Sequence, residues 1–324
     1  MKKAISLILS MLMVIMLFAG CGGTASGADY KVAIVQQLDH SSLDEIRVAI
    51  IAQMQTIAEE KGITLEISEF NGQNDGSVLN QIGTEVVSDQ VDIIIPIATT
   101  AAQCMVTAAE GSNIPIVYAA SSDPEGAGLT GLATVTGVSD ALNTPFIMDM
   151  MFAVQPDIQT VGLLYSNSEI NSAAPIAEAK AYLDAKGIAY LEKTGNNSGE
   201  IITAVSDLVG RVDAVFTPTD NAVMAAEAAV AEVLTEAGIP HYTGADSFVL
   251  SGAFATCGVN YTELGTKTAD IAMDILLGGE IGEFIVMDGG IITYNTEVTS
   301  QLKLDAEVFK TMANTVIGVE TTAQ

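Results

Sequence analysis

The feature that most constrains this chain is a regular alternation of short apolar segments with amphipathic segments, which runs through the sequence twice. Segment 91–97 is almost continuously apolar, as expected for a strand covered on both faces of a sheet. Strands joined by helices run parallel, so the pattern predicts an α/β fold. The predicted strands are 31–36, 63–70, 91–97, 114–120 and 133–138, then 160–166, 188–194, 212–217, 240–244 and 252–258.

The predicted helices follow the same rhythm. The first presents apolar residues every three or four positions from Leu43 to Ala58 and ends at Lys61 and Gly62, a cation followed by a C-terminal glycine. The break at 155–156 separates the two series, so two sheets of about five strands are favoured over one continuous sheet of ten. Further helices are predicted over 171–186, 198–209, 220–237, 261–277 and 305–312.

Length and cysteine content support a globular chain of two lobes. The 324 residues exceed the size, about 250–300 residues, at which a single hydrophobic core usually stops growing. Three cysteines are too few for a disulfide scaffold and two histidines too few for a histidine-built metal centre, so we expect no metal and no cofactor. Cys104 and Cys257 fall in a predicted helix and strand of different lobes and are expected to be buried free thiols.

The charge of the chain excludes one class of partner. Twelve Lys and Arg residues against 40 Asp and Glu residues give a formal net charge of −28. A polyanion of this size is repelled by phosphate backbones, so nucleic-acid binding is excluded.

The first twenty residues have the pattern of a lipoprotein signal peptide. Lys2 and Lys3 precede an apolar stretch over 4–18 that is short for a membrane span, and small residues precede Cys21. We predict a signal peptide over 1–20, a lipid on the Cys21 sulfur and a flexible tether over 21–29. The alternative is an uncleaved anchor helix. Both place the body of the protein outside the cytoplasm, held at the cell membrane.

Polar side chains follow nearly every predicted strand. In parallel α/β sheets, ligands bind beyond the carboxyl ends of the strands, where loops and helix N-termini meet. These loops carry amides, hydroxyls and carboxylates, and their basic residues are limited to Arg47 near the first. Carboxylates favour a ligand with an amine, and free helix N–H groups favour a ligand carboxylate, so the set favours a zwitterion such as an amino acid. Ordinary helix capping explains each residue singly.

Catalytic motifs are lacking. The sequence has no Gly-x-Ser-x-Gly elbow, no P-loop and no metal-ligand spacing. His40 has neighbours that could assist a general base, but adjacent residues rarely form a working relay. His241 lies in a predicted strand and is expected to be packed. We therefore predict that the chain is not an enzyme.

Several segments together resemble one known family. The chain resembles the ABC-transporter substrate-binding lipoproteins of the tryptophan/tyrosine-uptake type, which have the type I periplasmic-binding-protein fold. The resemblance covers nearly all of the chain after the signal peptide. The segments that carry it are VAIVQQLDHSSLD at 32–44, IATTAAQ at 97–103, SDPEGAGL at 122–129, VTGVSD at 135–140, LYSNSEINS at 164–172, PTDN at 218–221 and GVNYTELG at 258–265.

The resemblance implies a clamp of two Rossmann-like lobes with parallel sheets, joined by a three-segment hinge near residues 139, 260 and 282. The implied lobe 1 is 30–139 with 261–281, and the implied lobe 2 is 140–260 with 282–324. Ligand-binding residues would lie on facing strand ends. They are Gln37, His40, Thr99, Thr100, Ser121, Asp123, Ser168, Glu169, Asn171, Asp220, Asn221 and Asp246.

By their chemistry, Asp220 or Asp246 would hold an α-amine, and Thr99 and Thr100 an α-carboxylate. Tyr118, Tyr165, Phe216 and Tyr261 could stack on an aromatic ligand, although core packing explains each of them equally well.

The function implied is that of an extracytoplasmic, lipid-anchored solute-binding component of an ABC importer. It would act as a monomer that captures an amino acid, with aromatic amino acids first, by closing its cleft. The closed form would be presented to a permease that a cytoplasmic ATPase powers. Two alternatives remain at this point: a ligand-sensing domain that signals to a membrane receptor, and an enzyme acting on an amino-acid derivative.

Overall fold

Two β-sheets, one built mainly from each half of the chain, form the framework of the computed structural model, which describes residues 27–322. The predicted signal peptide and Cys21 lie outside these residues. The strands of the first half and its edge are β1 (Tyr30–Gln36), β2 (Leu65–Asn71), β3 (Ile93–Ile97), β4 (Ile116–Ala119), β5 (Val135–Ser139) and β11 (Ile285–Val286). Those of the second are β6 (Thr160–Tyr165), β7 (Ala189–Thr194), β8 (Ala214–Thr217), β9 (His241–Thr243), β10 (Ala255–Gly258), β12 (Ile291–Asn295) and β13 (Thr315–Val319).

Helices connect the strands and cover both faces of each sheet. They are α1 (Ser41–Lys61), α2 (Gly76–Ser88), α3 (Thr99–Ala108), α4 (Thr144–Val154), α5 (Ala173–Lys186), α6 (Ser198–Ser206), α7 (Asn221–Met224), α8 (Glu227–Glu236), α9 (Asp246–Leu250), α10 (Tyr261–Leu276) and α11 (Thr296–Leu302), with 3₁₀ turns at Ile170–Ser172 and Ala306–Thr311. Gly62 adopts φ 67°, which a glycine tolerates best, and ends α1 as predicted. No helix within residues 27–322 is both long and apolar enough to cross a membrane.

Both sheets have the same strand order in their central part. The first runs β2-β1-β3-β4-β5-β11 with every pair parallel, and the second runs β7-β6-β8-β9-β10-β12-β13. In the first sheet the chain runs from β1 outward to β2 and then returns to place β3 on the other side of β1. In the second sheet β6, β7 and β8 are arranged in the same way. Such a reversal opens a crevice beyond the strand ends where ligands bind. The predicted α/β fold with two sheets is confirmed.

Two strands depart from the predicted pattern. β12 pairs antiparallel with β10, so the second sheet is not wholly parallel. β11 pairs with β5 of the first sheet, although the predicted lobe 2 begins at 282. Its two residues are too few to show an alternation that would assign them to either sheet. The remaining lobe limits stay a prediction.

Two helical details also differ from expectation. The helix predicted over 220–237 is interrupted at Ala225 and Ala226, and this break directs Glu227 into the core, where its Oε1 lies 3.0 Å from Nδ1 of His241. The alanine-rich sequence has no residue that marks such a break. The last predicted helix, at 305–312, is a 3₁₀ turn.

The two thiols also differ in part from expectation. Both cysteines within the described chain are free, as predicted, but only Cys257 is buried, whereas Cys104 is half-buried on α3.

Candidate functional site

An interior cavity lies between the two sheets, where the carboxyl ends of their strands face each other. It is narrow and is lined by residues that follow strands of both sheets. The lining residues are His40, Ser42, Leu43, Ala98, Thr99, Ala120, Ser122, Asp140, Asn171, Thr219, Asp220, Asn221, Met224, Ala245, Ser247, Phe248 and Tyr261.

The backbone of the first sheet is strained where it meets the cavity. Ala98 after β3 and Ala120 after β4 adopt φ 77° and 56°, in the left-handed region. For a residue with a Cβ this costs about 1–2 kcal/mol. The ladder holds them there, because Ala98 N–H donates to Ala119 O and Ala120 N–H donates to Val138 O, both at 2.9 Å. Strain of this kind is characteristic of ligand sites.

The helices that begin at this side of the cavity have no capping side chain. His40 precedes α1 and Ala98 precedes α3, and neither side chain accepts a hydrogen bond from its helix. By contrast, Asp75, Asn143 and Asn260 cap α2, α4 and α10, which begin away from the cavity or at its margin. Ordinary capping therefore does not explain the residues at the start of α1 and α3. The partial positive charge of these two N-termini faces the cavity and favours an anionic group there.

Carboxylates and amides occupy the opposite side. Asp220 is fully buried and caps α7, accepting from Val223 N–H at 2.9 Å through Oδ1. Its Oδ2 accepts from Ser166 N–H and Ser172 Oγ, both at 2.7 Å. Burial raises the pKa of Asp220 in spite of these donors. Gly244 lets β9 approach this loop closely, because a Cβ there would lie 2.6 Å from Thr219 N.

Side-chain hydrogen bonds join the two sides directly. Gln37 Nε2 donates to Glu169 Oε1 at 2.8 Å, and His40 Nε2 lies 3.1 Å from Asn221 Oδ1. The hydroxyls of Ser122 and Thr219 lie 2.8 Å apart. These contacts close the mouth of the cleft over the cavity, so the structure is that of a closed clamp.

Asp140 follows β5, where the chain passes from the first sheet to the second. Its Oδ1 accepts from Ser122 Oγ at 2.9 Å and its Oδ2 accepts from Tyr261 OH at 3.4 Å. Burial raises the pKa of Asp140. A carboxylate offers about four acceptor positions. Asp140 therefore retains capacity for a further donor.

Several polar atoms of the lining are buried without a partner. They include His40 Nδ1, Asn171 Oδ1 and Ser247 Oγ. Burying a polar atom without a hydrogen bond costs about 1–3 kcal/mol, which is why such atoms are rare in folded proteins. Their concentration here indicates a site that a polar ligand completes.

The charge of the cavity agrees with the sequence analysis. Within residues 27–322, no lysine or arginine lines it. Arg47 instead binds Glu69 on the surface, with N–O distance 2.5 Å, and donates to Gln36 Oε1 at 3.1 Å. Burial also lowers the pKa of His40, which keeps its ring neutral.

The predicted site residues divide into three groups. Five line the cavity: His40, Thr99, Asn171, Asp220 and Asn221. Three lie directly behind the lining or across the mouth: Gln37 and Glu169 form the cross-cleft hydrogen bond, and Ser121 Oγ lies 3.2 Å from Thr99 Oγ1. Four lie outside the lining: Thr100, Asp123, Ser168 and Asp246.

Each of the four outside residues has a local reason for its position. Thr100 donates its N–H to Gln37 Oε1 at 3.3 Å, and Asp123 accepts from Gly126 N–H at 2.9 Å in a surface turn. Ser168 is exposed and lies 2.7 Å from Ser166 Oγ. Asp246 opens α9 beside Glu45, and burial raises its pKa to about 6.

Among the other lining residues, Asp140 and Phe248 were not predicted as site residues, and neither were Ser122, Thr219 and Ser247, although these three lie in strand-end loops. Asp140 and Ser122 follow strands and obey the same rule that identified the others. Tyr261 was one of four candidates for stacking, and of these it alone lines the cavity, since Tyr118 and Phe216 are core residues and Tyr165 binds Glu192.

A larger groove lies on the far side of the hinge, between α4, the end of β10 and the turn before β13. It opens widely to solvent, with Glu178 and Lys310 on its walls. None of its lining side chains has a buried polar atom without a partner. The interior cavity is therefore the stronger candidate site.

A two-sheet clamp that closes over a small polar cavity defines the class of solute-binding proteins. The chain matches the model of the ABC transporter substrate binding protein family over residues 31–310, and it belongs to that family. This family consists of substrate-binding proteins and is not a family of enzymes; its members act outside the cytoplasm.

Individual relatives refine the comparison. A "Tyrosine-binding protein" of Clostridioides difficile strain R20291 is 30% identical over an alignment of 331 positions that covers 95% of each chain. The structure of an ABC domain in complex with L-Trp from Streptococcus pneumonia is 28% identical, with TM-score 0.82, covering 90% of this chain and all of that one.

A ligand-free, open substrate binding protein with adhesive properties from Clostridium difficile is 29% identical over the same shares of the chains, 90% and 100%, but has a TM-score of 0.67. The identities of these two structures are nearly equal. The lower score for the open one is therefore consistent with the closed cleft described above.

Proposed function

We propose that this protein is the solute-binding component of an ABC importer and captures an aromatic amino acid, tyrosine or tryptophan, by closing its two lobes. The observation that carries the proposal is the cavity itself. It is small, buried between the sheets, lined by unpartnered polar atoms and walled by Tyr261 and Phe248. The names of the two relatives, one tyrosine-binding and one bound to L-Trp, support the same ligand class.

The ligand would lie with its carboxylate toward the first sheet and its amine toward the carboxylates. The N-terminus of α3 and the hydroxyl of Thr99 offer donors to an anion. Asp140 and Asp220 offer the negative charge that an ammonium group needs when it is buried. Contacts to both sides stabilise the closed clamp over the open one, and that difference drives closure.

Calorimetry with ligand fragments tests this orientation. We expect L-tyrosine or L-tryptophan to bind and to raise the melting temperature. Tyramine lacks the carboxylate and 3-(4-hydroxyphenyl)propionate lacks the amine, so each should bind at least about 100-fold more weakly. Equal binding of either fragment would contradict the zwitterion assignment. Failure of all amino acids to bind, with a sugar or another uncharged solute binding instead, would contradict the ligand class.

We further propose that the protein acts beside the membrane through a lipid on Cys21, as a monomer that meets its permease in the closed form. The small residues before Cys21 and the glycine-rich segment after it support this arrangement. The mass of the purified N-terminal peptide would test it. A diacylglyceryl cysteine at residue 21 is expected, and Cys21→Ser should release the protein from the membrane fraction.

A further inference from the structure

Glu169 joins the two sides of the cleft through one of its oxygens and is held to its own side through the other. It is 4% exposed, and its Oε1 accepts from Gln37 Nε2 of the first half at 2.8 Å. Its Oε2 accepts from Asn221 Nδ2 at 3.0 Å. The Gln37 Nε2 group also donates to Asn74 Oδ1 at 2.9 Å. Opening the clamp must break the Gln37 contact and return the Glu169 carboxyl to water.

The groups that face Glu169 supply no cation. Gln37 and Asn74 come from the first half, and both are neutral amides. Asn221 opens α7, and beyond it lies the neutral ring of His40. The carboxylate of Asp220 repels a negative charge on Glu169. Closure therefore buries two neighbouring acids with no lysine or arginine among their partners within residues 27–322.

Protonation of Glu169 removes the repulsion between the two buried carboxylates. Burial, and then the charge of Asp220, raises the pKa of Glu169 to about 8. Gln37 keeps its orientation, because its Oε1 accepts from Thr100 N–H and its Nε2 donates to Asn74. An amide carries both a donor and an acceptor, so Asn221 can accept from a protonated Glu169 by turning over, with its Nδ2 then donating to His40 Nε2. Asp220 accepts from two N–H groups and one hydroxyl, whereas Glu169 accepts from two neutral side-chain amides, so Glu169 is the better place for the proton of the pair.

We propose that closure of the cleft over its ligand takes up one proton on Glu169, so that capture of the ligand is linked to pH. This inference rests on the proposed function only in requiring that a ligand drives closure. Opening removes the Gln37 contact and admits water, so the pKa of Glu169 moves back toward its ordinary value of 4.5. The affinity gained from protonation of Glu169 is then fully present below about pH 4.5 and is lost as the pH rises through 8. Between these limits the affinity should fall about tenfold per pH unit.

Calorimetry in buffers of different ionisation enthalpy tests the proposal. Wild-type protein is titrated with L-tyrosine, or with L-tryptophan, at pH 7.5 in phosphate, HEPES and Tris, and the slope gives the protons taken up. We expect about 0.8 proton per ligand for a group of pKa 8. Asp246, whose pKa is raised to about 6, contributes little at this pH. Binding without proton uptake would overturn the proposal while leaving the proposed function intact, whereas no binding by any amino acid would overturn the proposed function.

Two variants assign the proton to Glu169. Glu169→Gln keeps the shape and both amide partners but cannot titrate, so proton uptake at pH 7.5 should fall nearly to zero and affinity should become flat between pH 7 and 8. Glu236→Gln changes an exposed carboxylate at the end of α8 and should keep the wild-type uptake. Undiminished uptake by a folded Glu169→Gln protein would place the proton elsewhere and overturn the assignment.

Discussion

The two sides of the cleft differ in how they present charge. The side built by β3 and β4 offers backbone N–H groups at uncapped helix starts, held by two alanines in left-handed conformation. The side built by β6 and β8 offers carboxylate and amide side chains, and its helix α7 is capped by Asp220. One side is a fixed arrangement of backbone dipoles and the other is a set of titratable side chains. A ligand with one charge of each sign is complementary to both only in the closed state.

This difference teaches that the same strand-end position can serve two purposes. On the second side, Asp220 both caps a helix and lines the cavity, so the capping and binding interpretations are both correct. On the first side, no side chain caps α1 or α3, so the N–H groups at these helix N-termini are available to a ligand. Substitutions on the two sides should therefore change different parts of ligand recognition.

The largest effect is expected for Asp220→Ala. It removes a buried negative charge and leaves the Ser166, Ser172 and Val223 donors without an acceptor, so affinity should fall by about 3–5 kcal/mol and the melting temperature should fall too. Calorimetry and thermal unfolding measure both. The matched control is Asp123→Ala, a strand-end aspartate outside the cavity, which should keep wild-type affinity. Unchanged affinity in the Asp220 variant would remove it from the site.

A smaller loss is expected for Asp140→Asn, which keeps the shape and removes the charge. Hydrogen bonds to a charged group contribute about 1.5–3 kcal/mol, so affinity for the amino acid should fall by roughly that amount. Affinity for 3-(4-hydroxyphenyl)propionate, which has no amine, should not fall. Equal losses for both ligands would show that Asp140 acts on the hinge and not on the ammonium group.

A still smaller loss is expected for Thr99→Val on the dipole side. The variant removes one hydroxyl near the start of α3, so amino-acid affinity should fall by about 1 kcal/mol. Tyramine has no carboxylate and should bind the variant and the wild type equally. A loss that is the same for tyramine and tyrosine would separate Thr99 from carboxylate recognition.

The smallest effect is expected for Ala98→Gly, and its sign is opposite. Glycine adopts φ 77° without the Cβ clash, and this gain exceeds its entropic cost, so the free energy of unfolding should rise by about 0.5–1 kcal/mol. Denaturant unfolding measures the change. The same substitution at Ala33, buried within β1, should lower stability instead.

Much of the site could be predicted because strand ends are visible in sequence. His40, Thr99 and Asp220 follow runs of apolar residues that could only be buried strands. Phe248 could not be distinguished from a core residue, since a cavity wall and a core contact require the same aromatic side chain. The cross-cleft hydrogen bond of Glu169 could not be predicted either, because it depends on how two separately folded halves meet.

The fold likewise has features that are encoded in short sequence segments and features that depend on contacts between distant segments. Alternating strands and helices predicted the two sheets, because each unit is encoded by its own periodicity. The antiparallel direction of β12 and the pairing of β11 with the first sheet come from the path of the chain across the hinge, which has no periodic pattern.

Because residues of both sides form the mouth of the cleft, its closure depends on the size of the bound solute. Gln37 and Glu169 meet at 2.8 Å only when the contents of the cavity allow the two sides to come together. A bulkier solute can touch either wall and still hold the halves ajar. Binding and delivery are therefore separate properties. A compound that binds one side but prevents closure acts as an inhibitor and is not delivered.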